Sequence, residues 1–209
     1  MKERTPVWLS WSGGKDCAMV LERLLADEEV EVQGLFSTYT EGARLVPIHD
    51  VSIDALEAQA VACGLEFRSI AMPPMASNEE YETALCTFFA EVIGDGVSFL
   101  AYGDLFLGDI RAFREELLGR YGLRALFPLW KEDSRALAEH FVQGGFEATI
   151  VAVNLLRLSS SHIGETYSLE WLETLPKGVD PCGENGEFHT FVENAPYFSE
   201  PVRLANFRS

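Results

Sequence analysis

The sequence is poor in basic residues. It contains 16 Lys and Arg against 33 Asp and Glu, for a formal net charge of −17. A protein whose main partner is nucleic acid needs Lys and Arg to displace the counterions that condense on phosphates. The composition therefore argues against nucleic acid as the main partner. The same charge favours solubility and requires no functional explanation of its own.

The sequence also lacks paired cysteines and long apolar runs. Its four cysteines, at positions 17, 63, 86 and 182, form no CxxC pair and no zinc-finger spacing, which predicts reduced, mostly buried thiols in a cytosolic protein. No apolar run approaches the roughly 20 residues that span a bilayer. Residues 1–6 leave no room for the apolar region of a signal peptide. We therefore expect a cytoplasmic protein with no membrane partner.

Strand and helix signals alternate through the first two thirds of the chain. The apolar run at 7–10 predicts a buried strand. Ser77 and Glu80 have the spacing of a capping box, which predicts a helix to about Ile93. The other predicted strands are 30–38, 65–70, 97–102, 123–127, 146–153 and 188–192, and the other predicted helices are 17–25, 55–63, 110–118, 134–144 and 165–174. This alternation implies an α/β fold in which a parallel sheet has helices on both faces.

The regular alternation of strands and helices ends after about residue 155. A polar stretch, one short helix, a loop rich in glycine and proline, and strand-like pieces complete the chain. We therefore expect two parts: a nucleotide-binding domain at 1–125 and a smaller C-terminal α+β subdomain at 126–209 that binds substrate. The boundary between the two parts falls near 125–128, and no single residue marks it.

The strongest local signal is the segment 9–17, Leu-Ser-Trp-Ser-Gly-Gly-Lys-Asp-Cys, between the first strand and the first helix. Backbone N–H groups at a helix N-terminus bind anionic phosphate, and the helix dipole supports them. Gly13 and Gly14 let the main chain approach phosphate oxygens. Lys15 can add a positive charge and Ser12 a hydroxyl donor. The pattern predicts a phosphate-binding loop, although an ordinary tight turn with a helix cap is the simpler alternative.

The loop differs from the common nucleotide motifs. A Walker A sequence ending at Lys15 would need glycine at position 9 and Ser or Thr at 16, where the chain has Leu9 and Asp16. Nor is it the G-x-G-x-x-G of dinucleotide sites. S-G-G-K-D resembles the PP-loop, S-G-G-x-D-S, of the N-type ATP pyrophosphatases. Members of that superfamily cleave ATP between the α and β phosphates and transfer AMP to a substrate oxygen. One departure is Cys17 in place of the final serine, since a thiol is a poorer donor.

A second group of polar residues occupies the loop at 180–187, just before the last predicted strand. Asn185-Gly186 alone is a common hairpin turn, but that turn does not require Glu184 and Glu187 on either side. Carboxylates grouped in this way can hold Mg²⁺, orient a cationic substrate group or act as a base.

C-G-E-N-G-E-F-H-T, at 182–190, resembles the C-terminal signature of the diphthine–ammonia ligase family and its bacterial relatives. The segments 103–115 and 126–130, and Ile48-His49-Asp50 with Gln59-Ala60, resemble other parts of that family. The resemblance thus covers nearly the whole chain. It implies an adenine nucleotide alpha hydrolase-like, Rossmann-like fold, and a reaction in which ATP adenylates a carboxylate and ammonia displaces AMP to give an amide.

The resemblance also implies roles for individual residues. The residues expected to bind ATP are Ser10, Ser12, Gly13, Gly14, Lys15, Asp16, Cys17, His49, Gly103 and Asp104. The expected catalytic residues are Lys15, Asp16, Glu184 and Glu187. The residues expected to bind the acceptor substrate are Arg111, Glu115, Asn185, Gly186 and His189. Mg²⁺ is expected to accompany ATP, with Asp16 as its candidate ligand.

Several alternatives stay open at this point. The acceptor is either a protein-borne carboxylate such as diphthine or, in a bacterium, the carboxylate of a small metabolite. A non-catalytic module that binds ATP or AMP would use the same loop but would leave the acidic loop unexplained. PP-loop enzymes that thiolate tRNA carry paired cysteines, so the cysteine pattern and the acidic charge argue against them. A homodimer also remains open.

Overall fold

The computed structural model of the chain describes residues 4–46 and 51–207. The expected ATP-binding residue His49 lies outside the described residues, so its role stays a prediction. Within the described ranges, no helix is both long enough and apolar enough to cross a bilayer.

The main sheet is built mostly from parallel strands, in the order β5-β2-β1-β6-β7. A short antiparallel hairpin, β3–β4, continues the sheet beyond the end of β2. The strands are β1 Thr5–Ser10, β2 Val30–Thr40, β3 Leu45–Val46, β4 Val51–Ser52, β5 Glu66–Met72, β6 Phe99–Ala101 and β7 Arg124–Leu126. The carboxyl ends of β1 and β6 are neighbours, and in open parallel sheets ligands bind at such an edge.

In the described residues, four helices lie between these strands, and two more follow the last of them. Each ends close to where the sequence predicts, although the last one begins at Leu169 and not at the predicted 165. The helices are α1 Lys15–Ala26, α2 Ile53–Cys63, α3 Asn78–Gly94, α4 Gly108–Arg120, α5 Ser134–Gln143 and α6 Leu169–Leu172. The capping box of Ser77 and Glu80 is present at the start of α3. Gly64 ends α2 with a φ of +69°, the left-handed conformation that glycine adopts without strain.

The sheet separates two hydrophobic clusters. Side chains alternate across a strand, so Val7 and Leu9 of β1 face the cluster that contains α1 and α2. Trp8 faces the other way and packs edge-on against Phe88 of α3, with ring centroids 5.5 Å apart. Both faces of the parallel sheet are therefore covered by helices, which confirms the predicted α/β class.

A second, two-stranded sheet forms the smaller C-terminal part. Its strands, β8 Glu147–Val153 and β9 Phe188–Asn194, pair antiparallel. The sequence alone placed the strand at 146–153 in the same strand–helix run as the parallel strands, yet β8 does not join the main sheet. Its partner comes from 35 or more residues further along the chain, and that pairing is not visible in a local pattern. β9 reaches the main domain directly, because the Val192 N–H donates to the Gly13 carbonyl at 2.8 Å.

Candidate functional site

The loop between β1 and α1 presents the start of a helix to a cleft. Gly14 is the N-cap of α1 and has no side-chain capping hydrogen bond. The first α-helical bond runs from the Ala18 N–H to the Gly14 carbonyl at 3.2 Å. The first N–H groups of a helix have no partner within the helix, and the dipole makes this end attractive to anions. The start of a helix is a kind of site that binds phosphate, and phosphate binding by this loop stays a prediction.

The buried side chain of Gln59 in α2 holds this loop in shape. Its amide nitrogen donates to the Gly13 carbonyl at 3.2 Å and to the Val192 carbonyl at 2.6 Å. Its amide oxygen accepts from the Trp11 indole N–H at 2.8 Å. One side chain thus connects the loop, α2 and β9. Gln59 is fully buried, and its role was not predicted, because no local pattern shows which loop a helix residue will meet.

Position 13 requires glycine for two reasons, its backbone conformation and the lack of room for a side chain. Its φ is +77°, and a Cβ placed there would lie 2.8 Å from the Gln59 amide oxygen and 3.1 Å from Leu56 Cδ1. We therefore expect Gly13→Ala to lower the free energy of unfolding by about 1–3 kcal/mol and to weaken ATP binding. Urea unfolding and calorimetric titration with ATP measure the two effects.

Gly42→Ala is a matched control for this substitution. Gly42 has a similar φ of +83°, but a Cβ there would meet no atom within 4 Å. The control therefore carries the backbone strain without the collision and lies away from the loop. Equal losses of stability in the two variants, with ATP affinity unchanged in both, would show that the Gln59 contact does not shape the site.

Thr190 of β9 contacts the loop from the C-terminal part. Its hydroxyl oxygen accepts from the Lys15 backbone N–H at 3.0 Å. A Cβ on Gly14 would lie 3.1 Å from the Thr190 carbonyl oxygen, so glycine permits this close approach. Thr190 was not among the predicted site residues. The C-terminal sheet is therefore part of the wall that supports the phosphate-binding loop.

Lys15 and Asp16 form an ion pair at the start of α1. The Lys15 ammonium lies 3.0 and 2.8 Å from the two Asp16 carboxylate oxygens, and it also donates to the Cys182 carbonyl. The Lys15 side chain is only 3% exposed. Burial is the largest single effect and lowers the pKa of Lys15, but the acidic groups around it, Asp16 foremost, together raise the pKa above its ordinary value. Lys15 is therefore a cation fixed between the two sequence motifs.

The two glutamates of the acidic loop have different surroundings. Glu187 is 1% exposed, and its carboxylate accepts from the backbone N–H groups of Asp180 and Asn185 and from the Asn185 side-chain amide. Glu187 thus holds the loop together. Glu184 accepts from the Leu105 N–H at 2.7 Å. Burial is the main cause that raises the pKa of Glu184, from its ordinary value of 4.5 to about 7.

These elements enclose a cleft of about 350 Å³. The predicted residues that line it are Ser10, Ser12, Gly14, Lys15, Asp16, Cys17, Gly103, Asp104, Glu184, Gly186 and His189. The lining residues that the sequence analysis did not assign are Tyr102, Leu107, Ile110, Arg114, Cys182, Gly183, Phe188 and Thr190. The two distant motifs therefore meet in one cleft at the carboxyl ends of β1 and β6.

Gly103 brings β6 close to the phosphate-binding loop. A Cβ on Gly103 would lie 3.2 Å from both the Asp16 carbonyl carbon and the Cys17 backbone nitrogen. The residue after it, Asp104, contributes a carboxylate to the cleft, and its charge adds to burial in raising the pKa of Asp16 against the opposing pull of Lys15. The cleft is therefore crowded with acidic groups around a single buried lysine.

Cys17 and His189 are uncharged residues of the cleft. The Cys17 thiol donates to the Gly14 carbonyl at 3.0 Å and lies 3.6 Å from the Ser12 hydroxyl oxygen. Burial raises the pKa of Cys17 to about 11, so the thiol stays protonated. Burial, with the nearby Lys15 charge, lowers the pKa of His189 to about 4. His189 is therefore a neutral imidazole at neutral pH.

Of the predicted residues that the structure describes, four besides Gly13 lie outside the lining of the cleft. Arg111 pairs with Glu115 at 2.8 Å and lies over the rings of Phe127 and Trp130. Asn185 and Glu187 bond to each other within the acidic loop. Their expected roles toward substrate stay predictions, since these contacts describe only the conformation of the chain by itself.

The cleft contains carboxylates, but they do not form a complete metal-binding site by themselves in the described residues. Within 4–46 and 51–207, no group of three or more His, Cys, Asp or Glu side chains could hold a metal ion. Mg²⁺ commonly keeps several waters and binds through one or two carboxylates together with substrate phosphates. The carboxylates of Asp16 and Asp104 in the cleft are the donor type that such a nucleotide-borne ion uses. The residues therefore fit Mg²⁺ that arrives with ATP.

Curated proteins named diphthine–ammonia ligase are similar to parts of this chain. The protein from Schizosaccharomyces pombe is 31% identical over 96 residues, which are 44% of this chain and 16% of that protein. The protein from Danio rerio is 32% identical over 114 residues, 52% of this chain and 43% of that protein. The human protein is 31% identical over 102 residues, 46% of this chain and 38% of that protein. The alignments thus span less than half the length of these relatives.

One solved structure is a distant likeness. It is the U34-tRNA thiolase NcsA from Methanococcus maripaludis with its [4Fe-4S] cluster. It aligns with 66% of this chain and 57% of that chain, with a TM-score of 0.40 and 15% identity. A likeness at this level supports no inference about function.

Models of two domain families match nearly all of the chain. The family described as the diphthamide synthase N-terminal domain matches residues 5–125, which include the phosphate-binding loop. The family described as the diphthamide synthase C-terminal domain matches residues 133–209, which include the acidic loop. Both motifs that carried the resemblance thus fall in matched segments. The chain belongs to the diphthamide synthase family.

Proposed function

We propose that this chain is an ATP-dependent ligase that adenylates a substrate carboxylate, releases pyrophosphate and converts the carboxyl group to an amide with ammonia. The observation that carries the proposal is the meeting of the two motifs: the Lys15 backbone N–H donates to Thr190, and its ammonium group donates to the Cys182 carbonyl. A phosphate-binding loop and an acidic loop thereby share one cleft. The names of the curated relatives support the same kind of reaction.

In this proposal the start of α1 binds the β and γ phosphates of ATP. The Lys15 N–H already donates to Thr190, so the N–H groups after it in the first turn face the anion, and the Lys15 ammonium adds its charge. A carboxylate oxygen of the acceptor attacks the α-phosphorus, the bond to the bridging oxygen breaks, and pyrophosphate leaves. Mg²⁺ at Asp16, when bound, would neutralise charge on the leaving phosphates.

The second half-reaction needs neutral ammonia, since an ammonium ion has no lone pair for attack. Glu184 is the residue that we assign to this proton transfer. Its pKa of about 7 lets it be ionised and accept a proton near neutral pH. The acidic side chains of Asp16, Asp104 and Glu184 around the cleft attract a cation such as ammonium. Ammonia then attacks the acyl carbon, the bond from that carbon to the AMP oxygen breaks, and the nitrogen loses its extra proton to water as AMP leaves.

Product analysis tests this proposal. The protein is incubated with α-³²P-labelled ATP, Mg²⁺, ¹⁵N-ammonium and a carboxylate acceptor. The acceptors are elongation factor 2 carrying diphthine and, separately, a panel of small carboxylates. We expect labelled AMP, pyrophosphate and an acceptor that gains one ¹⁵N amide. Labelled ADP with orthophosphate would overturn the proposed reaction, and AMP formation that needs no ammonia would overturn the amidation step.

A further inference from the structure

Arg114 of α4 is a cationic side chain in the cleft that the reaction described above leaves without a role. Its guanidinium carbon lies 4.2 Å from the centroid of the Tyr102 ring, and its Nε lies 2.8 Å from Asp104 Oδ2. The side chain of Arg114 is 24% exposed and that of Asp104 is 12% exposed. Stacking and the ion pair therefore hold the guanidinium in one place while part of it faces the cleft.

The Arg114–Asp104 pair is close but poorly aligned. Arg114 Nε and Asp104 Oδ2 are both buried and lack a hydrogen-bond partner in the part of the chain that the structure describes. The short distance between them does not make a hydrogen bond, because the Nε–H does not point at the oxygen. The remaining contact, from Arg114 Nη2 to Asp104 Oδ1, is long at 3.3 Å. Buried charged groups normally have their hydrogen bonds satisfied. These two atoms are closed off from the cleft, so a ligand there would bind the terminal N–H groups of the Arg114 guanidinium, of which Nη2 makes this long contact to Asp104.

The guanidinium and its apolar neighbours favour a carboxylate as that ligand. A planar guanidinium matches the two oxygens of a carboxylate, which it can bind with two parallel hydrogen bonds. The apolar side chains of Leu107 and Ile110 line the same cleft, and an apolar setting strengthens such bonds. The phosphate end of a nucleotide already has the start of α1 and Lys15.

We propose that Arg114 binds the carboxylate of the acceptor substrate and that Asp104 is its positioning residue. This inference rests on the proposed function and assigns the acceptor-binding residue of that same site. It differs from the expectation that Arg111 serves this purpose. Arg111 instead pairs with Glu115 and lies over the rings of Phe127 and Trp130, outside the lining of the cleft.

Arginine side-chain NMR tests the inference without needing the natural acceptor. The full-length ¹⁵N-labelled protein is titrated with acetate as the carboxylate probe and, in a separate sample, with pyrophosphate as the phosphate probe. We expect acetate to cause a saturable shift of the Arg114 Nε signal, and pyrophosphate to leave that signal unmoved. Arg120 lies on the same helix as Arg114 and pairs with Glu82 of α3 and Glu116 of α4, and its signal serves as the internal control.

Two variants accompany the titration. Arg114→Lys keeps a positive charge beside Asp104 but loses the planar fork, so we expect acetate affinity, read from the Gly103 amide signal, to fall about tenfold or more. Arg120→Lys, the matched control, is expected to retain the affinity of the unmodified protein. An Arg114 signal that acetate does not move, a response to pyrophosphate instead, or equal acetate affinity in both variants would overturn the inference.

The result is separable from the test of the proposed function. If labelled ATP gives AMP and pyrophosphate but acetate leaves Arg114 unmoved, the inference fails and the reaction stands. If acetate shifts Arg114 but ATP gives only ADP and orthophosphate, the carboxylate site stands and the reaction fails.

Discussion

Replacing Lys15 with methionine is expected to lower the rate of ATP-dependent pyrophosphate release by about 100- to 1000-fold. The substitution removes the buried cation that lies against both the phosphate-binding loop and the acidic loop. It also leaves the Asp16 carboxylate without its partner in a buried setting, which typically costs about 3–5 kcal/mol of stability. Initial rates with saturating ATP, together with urea unfolding, measure both effects.

Two further variants separate binding from stability. Lys15→Met combined with Asp16→Asn removes both charges, so we expect most of the lost stability to return while activity stays low. Lys177→Met removes an exposed lysine outside the cleft and is expected to keep the rate and stability of the unmodified protein. If Lys15→Met retained nearly full activity, Lys15 would have no part in binding the phosphates.

Glu184→Gln is expected to lower amide formation by about 100- to 10,000-fold and to remove an ionisation from the pH profile. Burial raises the pKa of Glu184 to about 7. A base must be ionised to act, so the rate of the unmodified protein should rise with pH through about 7 and then level off. The variant should form amide slowly at every pH, while its adenylation step, measured as pyrophosphate release in a single turnover, should survive. Rates measured across the pH range with saturating ATP and ammonium check this.

The same ionisation predicts a change of stability with pH. The folded protein holds the Glu184 proton more tightly than the unfolded chain, in which the pKa is near its ordinary value of 4.5. Between 4.5 and about 7 the folded state therefore binds more protons, and the contribution of Glu184 to the free energy of unfolding falls as pH rises. The free energy of unfolding of the unmodified protein should therefore fall relative to that of Glu184→Gln as pH rises over that window.

Glu200→Gln is the control for both measurements, because Glu200 is exposed and lies outside the cleft. It should reproduce the pH profile and the stability of the unmodified protein. A Glu184→Gln variant that keeps the full pH dependence of amide formation would contradict the role of Glu184 as the base.

The parts of the site that lie close together in sequence could be predicted from sequence. The loop from Ser12 to Asp16 combines a strand end, two glycines and a helix start within a few residues, so local rules were sufficient. Likewise, the capping box at Ser77 depends only on residues three positions apart. The resemblance to a family added the acidic loop around Glu184, whose own pattern left its chemistry open.

The parts that depend on contacts between distant segments could not be predicted in this way. Gln59 and Thr190 support the phosphate-binding loop from 46 and 175 residues away, and no periodicity reveals such contacts. Glu184 and Glu187 are the same residue type in the same loop, so the sequence does not distinguish their roles. In the structure Glu187 holds the acidic loop together, whereas Glu184 faces the cleft. Arg114 and Arg111 are about one helical turn apart, and stacking on Tyr102 and the ion pair with Asp104 direct Arg114 into the cleft.

A crystal structure with a non-hydrolysable ATP analogue and Mg²⁺ would show directly where the triphosphate binds. We expect the β and γ phosphates to contact the N–H groups at the start of α1 and the Lys15 ammonium, with the α-phosphorus facing the part of the cleft that Glu184 and Arg114 line. A triphosphate bound elsewhere on the molecule, with no contact to the segment from Ser12 to Cys17, would contradict it.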